Sequence, residues 1–227
     1  MFKFTKTKMN PIRKIYKDKL INKNNMLPGD RKGSPDDSFL FIDSGFLSKL
    51  SKYFGGGKYI QYDLIKFCEK LVKKNNLNCK EIFYYTAPPF QSDNPSKEEK
   101  ERKDKYDKFI KKLRNKNIIV KEGRCQRLKI NDYFIYKQKA VDSLMIIDLM
   151  SVPLKYPKIK NIIIIASDSD FVPVIDNLKK IEINIILATY FTKKRNTNFS
   201  RSSHLINSVN KYFRISKQDF EDCLLKK

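Results

Sequence analysis

Histidine is almost missing from this chain. Of 227 residues one is a histidine, His204, and no nucleophile motif accompanies it, so side-chain base catalysis of the Ser-His or Cys-His kind has no partner set to draw on. Standing alone, His204 reads as a capping or packing residue. The four cysteines, Cys68, Cys79, Cys125 and Cys223, contain no CxxC pair, which argues against structural zinc and against a disulfide framework and points to a reducing compartment. No apolar run approaches the roughly 18 residues of a membrane span, and the lysine-rich N-terminus lacks the apolar core of a signal peptide. The expectation is a cytoplasmic protein with no membrane partner. Acids are the minority charge: 25 Asp and Glu face 48 Lys and Arg, for a formal net charge of +23. Such an excess points to a polyanionic partner, and to nucleic acid ahead of a membrane surface because no amphipathic anchor accompanies it. Part of it reflects a general richness in Lys, Asn and Ile.

What the chain does have is an uninterrupted apolar run, Ile162-Ile163-Ile164-Ile165-Ala166, followed by Ser167-Asp168-Ser169-Asp170-Phe171-Val172-Pro173. Such a run is the pattern of a strand covered on both faces in a parallel sheet. Asp168 and Asp170 then emerge at its carboxyl end, where open α/β sheets bind ligands. Two carboxylates one residue apart repel unless a cation intervenes, and a hard divalent ion is the usual remedy. The same residues would also serve as a helix cap, with Ser167 or Asp168 capping a helix that starts near Phe171 and Asp170 in its first turn.

Earlier in the chain, Phe39-Leu40-Phe41-Ile42 is a second buried-strand signal, closed by Asp43. Residues 1–37 read as a basic, flexible arm with too little apolar surface for a core. Gly55-Gly56-Gly57 is a loop without the Lys-Ser/Thr of a phosphate-binding loop. Helical periodicity covers Tyr62 to Lys74 and Ser96 to Asn115, where Tyr106, Phe109, Ile110 and Leu113 form a narrow stripe. Strands are expected at Glu81 to Ala87, Asn117 to Val120, Ile183 to Ala188 and Tyr212 to Ile215. Between Gly123 and Lys139, cations (Arg124, Arg127, Lys129, Lys137, Lys139) interleave with Tyr133, Phe134 and Tyr136. That composition suits a flexible nucleic-acid strand, or a two-stranded excursion whose rings pack on the domain and whose lysines are solvated. A helix follows, with Asp142 at its start and Asp148 inside its apolar stripe; a buried Asp148 requires a hydrogen-bond or ionic partner. Lys193, Lys194, Arg195 and Arg201 form a basic stretch after the last long strand, before a short helix from Ser203 to Asn210.

Alternating strands and helices give a parallel sheet with crossover helices, with Asp43, Asp142, Asp168 and Asp170 converging at its carboxyl edge. Five segments resemble the NYN-domain family of the PIN-like nuclease superfamily: Phe41-Ile42-Asp43-Ser44-Gly45-Phe46-Leu47, Tyr84-Tyr85-Thr86-Ala87-Pro88-Pro89-Phe90, Gln138-Lys139-Ala140-Val141-Asp142 with the helix to Asp148-Leu149, Ser167 to Pro173, and Ser203-His204-Leu205 to Phe213. They occur in the family's order across residues 38–215, which delimits the domain and leaves 216–227 as a C-terminal helix or tail. The resemblance implies a PIN-like, three-layer α/β/α sandwich around a mainly parallel sheet. It also implies a metal-dependent ribonuclease site in which Asp43, Asp142, Asp168 and Asp170 hold Mg²⁺ or Mn²⁺. The chain departs from the family pattern at Ser44, Ala140 and Ser167, where members commonly have Gly, and in carrying Gly45-Phe46 where many have Asn after the first acid. Small side chains are tolerable there where the backbone angles are ordinary.

The expected function is hydrolysis of phosphodiester bonds in single-stranded or structured RNA, with DNA as a further substrate class. Lys139, Arg195 and Arg201 are the candidate phosphate contacts, and Asp148 and Ser167 the residues expected behind the ligands. The alternatives are a noncatalytic RNA-binding or adaptor module that keeps the acids, and a small-ester phosphatase, although the acid after the first strand is followed by Ser44-Gly45 and lacks the Asp-x-Asp nucleophile arrangement of the aspartyl phosphatases. The oligomeric state, monomer or homodimer, stays open.

Overall fold

The computed structural model describes residues 36–192, 199 and 201–225. Most of the expected basic arm and the loop cations Lys193, Lys194 and Arg195 lie outside the described residues.

The central strands form where the chain is apolar without interruption, and the outer strands and the hairpin carry polar residues as well. β1 (Asp36–Asp43), β2 (Leu77–Thr86) and β3 (Ile119–Glu122) are followed by a separate hairpin of β4 (Arg124–Ile130) and β5 (Tyr133–Lys139), and then by β6 (Asn161–Ile165), β7 (Asn184–Thr189) and β8 (Lys211–Arg214). Six of them make one sheet in the order β3-β2-β1-β6-β7-β8, and every pair in it is parallel. Side chains of successive residues point to opposite faces, so each central strand feeds two cores. Phe39, Phe41, Ile162, Ile164, Ile185 and Leu187 face one way. Leu40, Ile42, Ile163, Ile165, Ile186 and Ala188 face the other.

Each face is covered by helices. On the second face lie α1 (Ser44–Phe54), α2 (Leu64–Lys73) and α3 (Lys97–Arg114), inserting residues such as Leu47, Leu50, Phe67, Leu71 and Ile110. On the first lie α4 (Val141–Lys155), α5 (Val172–Lys180) and α6 (Ser203–Ser208), inserting Met145, Leu149, Ile175 and Leu205 among others. A short α7 (Lys217–Glu221) docks Phe220 beside Phe67. The result is the three-layer α/β/α sandwich that the sequence predicts.

The helix termini carry their own signals. Ser96 and Glu99 form a reciprocal capping box at the start of α3, satisfying donors that the first turn leaves open. α1 is capped by Asp43, whose carboxylate accepts from the Gly45 and Phe46 amides. This helix is an addition to the sequence expectation, which treated Asp43 only as an acid at a strand end.

Strand order sets where a ligand can sit. From β1 the chain moves outward to β2 and β3, then returns to β6 on the other side of β1. The crossovers therefore diverge between the carboxyl ends of β1 and β6, and a crevice opens at such a switch point. Ile42 pairs with Ile165 there, so the peptides leading to Asp43 and Asp168 leave the sheet side by side. No described helix is long and apolar enough to cross a membrane.

Candidate active site

Three chain segments bring acids to this crevice. Asp43 comes from the end of β1, Asp142 from the first turn of α4, and Asp168 and Asp170 from the turn after β6. Asp43 is held firmly: one carboxylate oxygen receives the Gly45 amide at 2.8 Å and the Phe46 amide at 3.2 Å. Burial pushes its pKa up to about 6, the two amides and Lys49 oppose the rise, and the charge of Asp142 adds to it. Asp142 is raised as well, first by burial and then by the charges of Asp168 and Asp170, with Lys49 again opposing. The acids thus stand within one another's electrostatic reach, a surplus of negative charge at the switch point.

Asp168 also performs the capping role open to it in the sequence. Its carboxylate accepts from the Asp170 amide at 3.0 Å and caps the single 3₁₀ turn Ser169–Phe171 that leads into α5. Capping uses one oxygen, and the side chain remains exposed. A cleft of about 350 Å³ is lined by Asp43, Lys49, Ser167, Asp168 and Arg201 together with Phe46 and Phe199. Among the described residues, no three His, Cys, Asp or Glu side chains are gathered closely enough to hold a metal ion.

The remaining candidates are distributed unevenly. Arg201 lines the acidic cleft, and its guanidinium lies 5.4 Å from the centre of the Phe191 ring. Ser167 lines the same cleft and is exposed. Lys139 ends β5, exposed and opposite Arg124 in the hairpin register, and does not line that cleft. Arg195 lies outside the described residues. Asp148 is turned toward the sheet: the Tyr85 hydroxyl donates to it at 2.9 Å and the Lys121 ammonium lies 3.8 Å away. Its partner from β2 supplies what burial demands and ties α4 to the sheet. Burial and that bond together hold the Tyr85 phenol far above its usual range. His204 is exposed in the first turn of α6, where Ser202 is the cap.

Lys49 is the residue that sequence reasoning missed. It opposes the pKa rise of both Asp43 and Asp142 and lines the cleft with Asp43 and Asp168, which Asp142 does not line. A signal for it existed: Asp43 as N-cap, then Phe46, Leu47 and Leu50 at helical spacing, with Lys49 on the solvent side of the same helix.

Comparison with known proteins agrees with this architecture. The family model described as the NYN domain matches residues 39–216. The crystal structure of a protein of unknown function from Vibrio parahaemolyticus is similar in fold, with a TM-score of 0.54 at 14% identity over 84% of this chain and 99% of that one. MurG from Acinetobacter baumannii aligns over 79% of this chain and 41% of its own, at 11% identity and a TM-score of 0.38, too low to bear on the fold. None of the curated proteins matches.

Proposed function

The chain belongs to the NYN-domain family, whose members are in general nucleases, and from that premise we propose that it is a metal-dependent ribonuclease acting through Asp43, Asp142, Asp168 and Asp170. The observation that carries the proposal is the gathering of partly buried acids at the switch point: burial first, and then the charge of Asp142, raises the proton affinity of Asp43, and burial, then Asp168 and Asp170, raises that of Asp142. Hard carboxylate oxygens are the donor set that Mg²⁺ and Mn²⁺ prefer. The residues therefore fit such an ion by chemistry. Bound there, it would supply a water of lowered pKa and neutralise charge building on the phosphate oxygens.

The protein's own groups have separate tasks. The Gly45 and Phe46 amides fix the Asp43 carboxylate, so its orientation costs nothing when substrate arrives. Lys49 and Arg201, cations on the rim of the same cleft, bind the nonbridging oxygens of the scissile phosphate. Lys139, which does not line that cleft, is assigned to a phosphate farther along the strand, and Arg195 is proposed as a phosphate contact on the sequence alone. Asp148 supports α4, and through it Asp142, by its bond to Tyr85. Ser167 completes the turn that presents Asp168.

A second reading is a noncatalytic RNA-binding module that keeps the acids, favoured by the formal net charge of +23. The two are separated by incubating the wild type and Asp168→Asn with end-labelled single-stranded RNA and DNA in Mn²⁺, in Mg²⁺ and in EDTA. The expected outcome is metal-dependent RNA products that disappear in Asp168→Asn while its melting profile stays cooperative. Intact RNA in every wild-type lane, with a salt-sensitive mobility shift, would establish the binding module instead.

A further inference from the structure

A second depression, of about 1060 Å³, lies beside the acidic cleft and shares Lys49 with it. It is bounded by α1, by α3 and by the hairpin strand β5, and the end of β2 contributes to its lining. Its charge is of one sign. Lys49, Lys52, Arg102 and Lys137 line it, and no Asp or Glu does. None of Lys52, Arg102 and Lys137 forms a salt bridge among the described residues.

Five aromatic residues line it, of which Tyr84 is buried and three present exposed rings. Tyr59 is 58% exposed, Tyr136 49% and Phe109 41%, and the half-buried Tyr106 lies one helical turn before Phe109. Phe109 belongs by spacing to the apolar stripe of α3, yet it opens onto the groove. The other side is held rigidly: Arg127 stacks between Phe90 and Phe134, 4.6 Å from each ring centre, and Phe90 in turn packs against Tyr136 at 5.7 Å. An exposed ring costs hydration free energy unless a partner covers it. Cations that are not tied up in salt bridges, interleaved with accessible rings, match a strand whose phosphates meet the cations and whose bases stack on the rings. Bases are free to stack in that way only when the strand is unpaired.

We infer that this groove binds the unpaired strand on one side of the scissile phosphate, and thereby selects single-stranded over duplex RNA. The inference rests on the reading of the acidic cleft as a nuclease centre, because Lys49 joins the two depressions and a strand in one leads into the other. The hairpin's role follows from its placement: Tyr136 and Lys137 close the groove opposite α1 and α3.

Binding in EDTA separates this inference from the cleavage reaction. Fluorescence anisotropy of a labelled ten-nucleotide RNA, single-stranded or annealed to its complement, is measured against salt concentration for the full chain. The double variant Lys52→Ala/Arg102→Ala is expected to weaken single-strand binding and to lower the slope of log K against log salt by about 1.4, roughly 0.7 per lost phosphate contact. Tyr136→Ala is expected to weaken binding by roughly 5- to 150-fold, the range of one stacked base, at an unchanged salt slope. Lys217→Ala, on α7 outside the groove, should leave affinity and slope as they are. The inference fails if the double variant binds as the wild type does, if Lys217→Ala lowers the slope equally, or if the duplex binds as tightly as the single strand. A wild type that binds through the groove yet cleaves nothing would sink the nuclease reading and leave the groove standing. Cleavage by a protein indifferent to Lys52 and Arg102 would do the reverse.

Discussion

Ala140 sits in the left-handed region, at φ 66°, as the N-cap of α4, and it makes no side-chain capping bond. A Cβ in that conformation crowds the following carbonyl and costs roughly 1–2 kcal/mol, a cost glycine avoids. Of the small residues that replace the family's glycines, Ser44 begins a right-handed helix and is tolerated, while Ala140 is strained two residues before Asp142. Ala140→Gly should therefore stabilise the protein by about 1 kcal/mol, seen as a melting temperature roughly 2–4 °C higher. An unchanged or lower melting temperature would show the strain to be relieved elsewhere. The residue identities in the sequence located this site but could not reveal its strain, because a φ angle of this kind is imposed by the hairpin and helix that meet at Ala140. Lys49 was hidden for a similar reason. Its proximity to Asp43 and Asp142 is a tertiary fact, and the helix that carries it opens on Ser44-Gly45, a pair that reads as a turn.

At the scale of elements, the apolar runs of β1, β6 and β7 were legible because a strand buried on both faces has no alternation to interrupt it. The start of β2 was less so: Leu77 to Lys80 is mostly polar, and its strand conformation comes from pairing with Asp36 to Ser38. The hairpin carried its turn in plain view. Asn131 and Asp132 both take positive φ, 46° and 63°, between Ile130 and Tyr133, as a two-residue hairpin turn requires. What the sequence left open was the fate of the rings, and Tyr133, Phe134 and Tyr136 are exposed rather than packed into a core. The hairpin's root depends on Gly123. A Cβ there would lie 2.3 Å from the Lys139 carbonyl oxygen and 2.9 Å from Val141 Cγ2, while the Gly123 amide is committed to the Thr86 carbonyl at 2.8 Å. Both clashes are with the segment that presents Asp142, so neither strand of the root can yield independently. Gly123→Ala is expected to destabilise by about 1–3 kcal/mol, as overpacking does, and to lower the urea midpoint accordingly. A midpoint equal to the wild type would mean that the root is looser than its contacts suggest.

The whole molecule folds against the repulsion in its own crevice. Parallel topology was inferable from the alternation of elements, and with it the meeting of the acids at one edge. The strand order that puts β1 beside β6 was not, since nothing local records which side of β1 a returning strand takes. The consequence of that order is a pH dependence whose sign can be worked out. Asp43 has a folded pKa of about 6 against an ordinary 3.8, so between those values the folded state binds more protons than the unfolded one. Its contribution is favourable below pH 4, is lost as pH rises, and is fully lost above pH 6, a change of about 3 kcal/mol at 1.36 kcal/mol per pKa unit. Asp142, raised in the same direction, adds to the loss. Asp43→Asn removes the charge and keeps an N-cap acceptor, as Asn and Asp cap about equally well. In EDTA the variant should be more stable than the wild type at pH 7.5, by up to about 3 kcal/mol, and should lose that advantage at pH 4. Mn²⁺ should reverse the ranking at pH 7.5. A cation that binds the ionised acids stabilises the wild type by mass action, less so at pH 5 where protons compete, and the variant gains less at either pH. Thermal melts at the three pH values, with EDTA and with Mn²⁺, test the chain of reasoning. An advantage of Asp43→Asn that persists unchanged at pH 4 would refute the burial of its charge as the cause, and a wild type unmoved by Mn²⁺ at pH 7.5 would refute the crevice as a metal site.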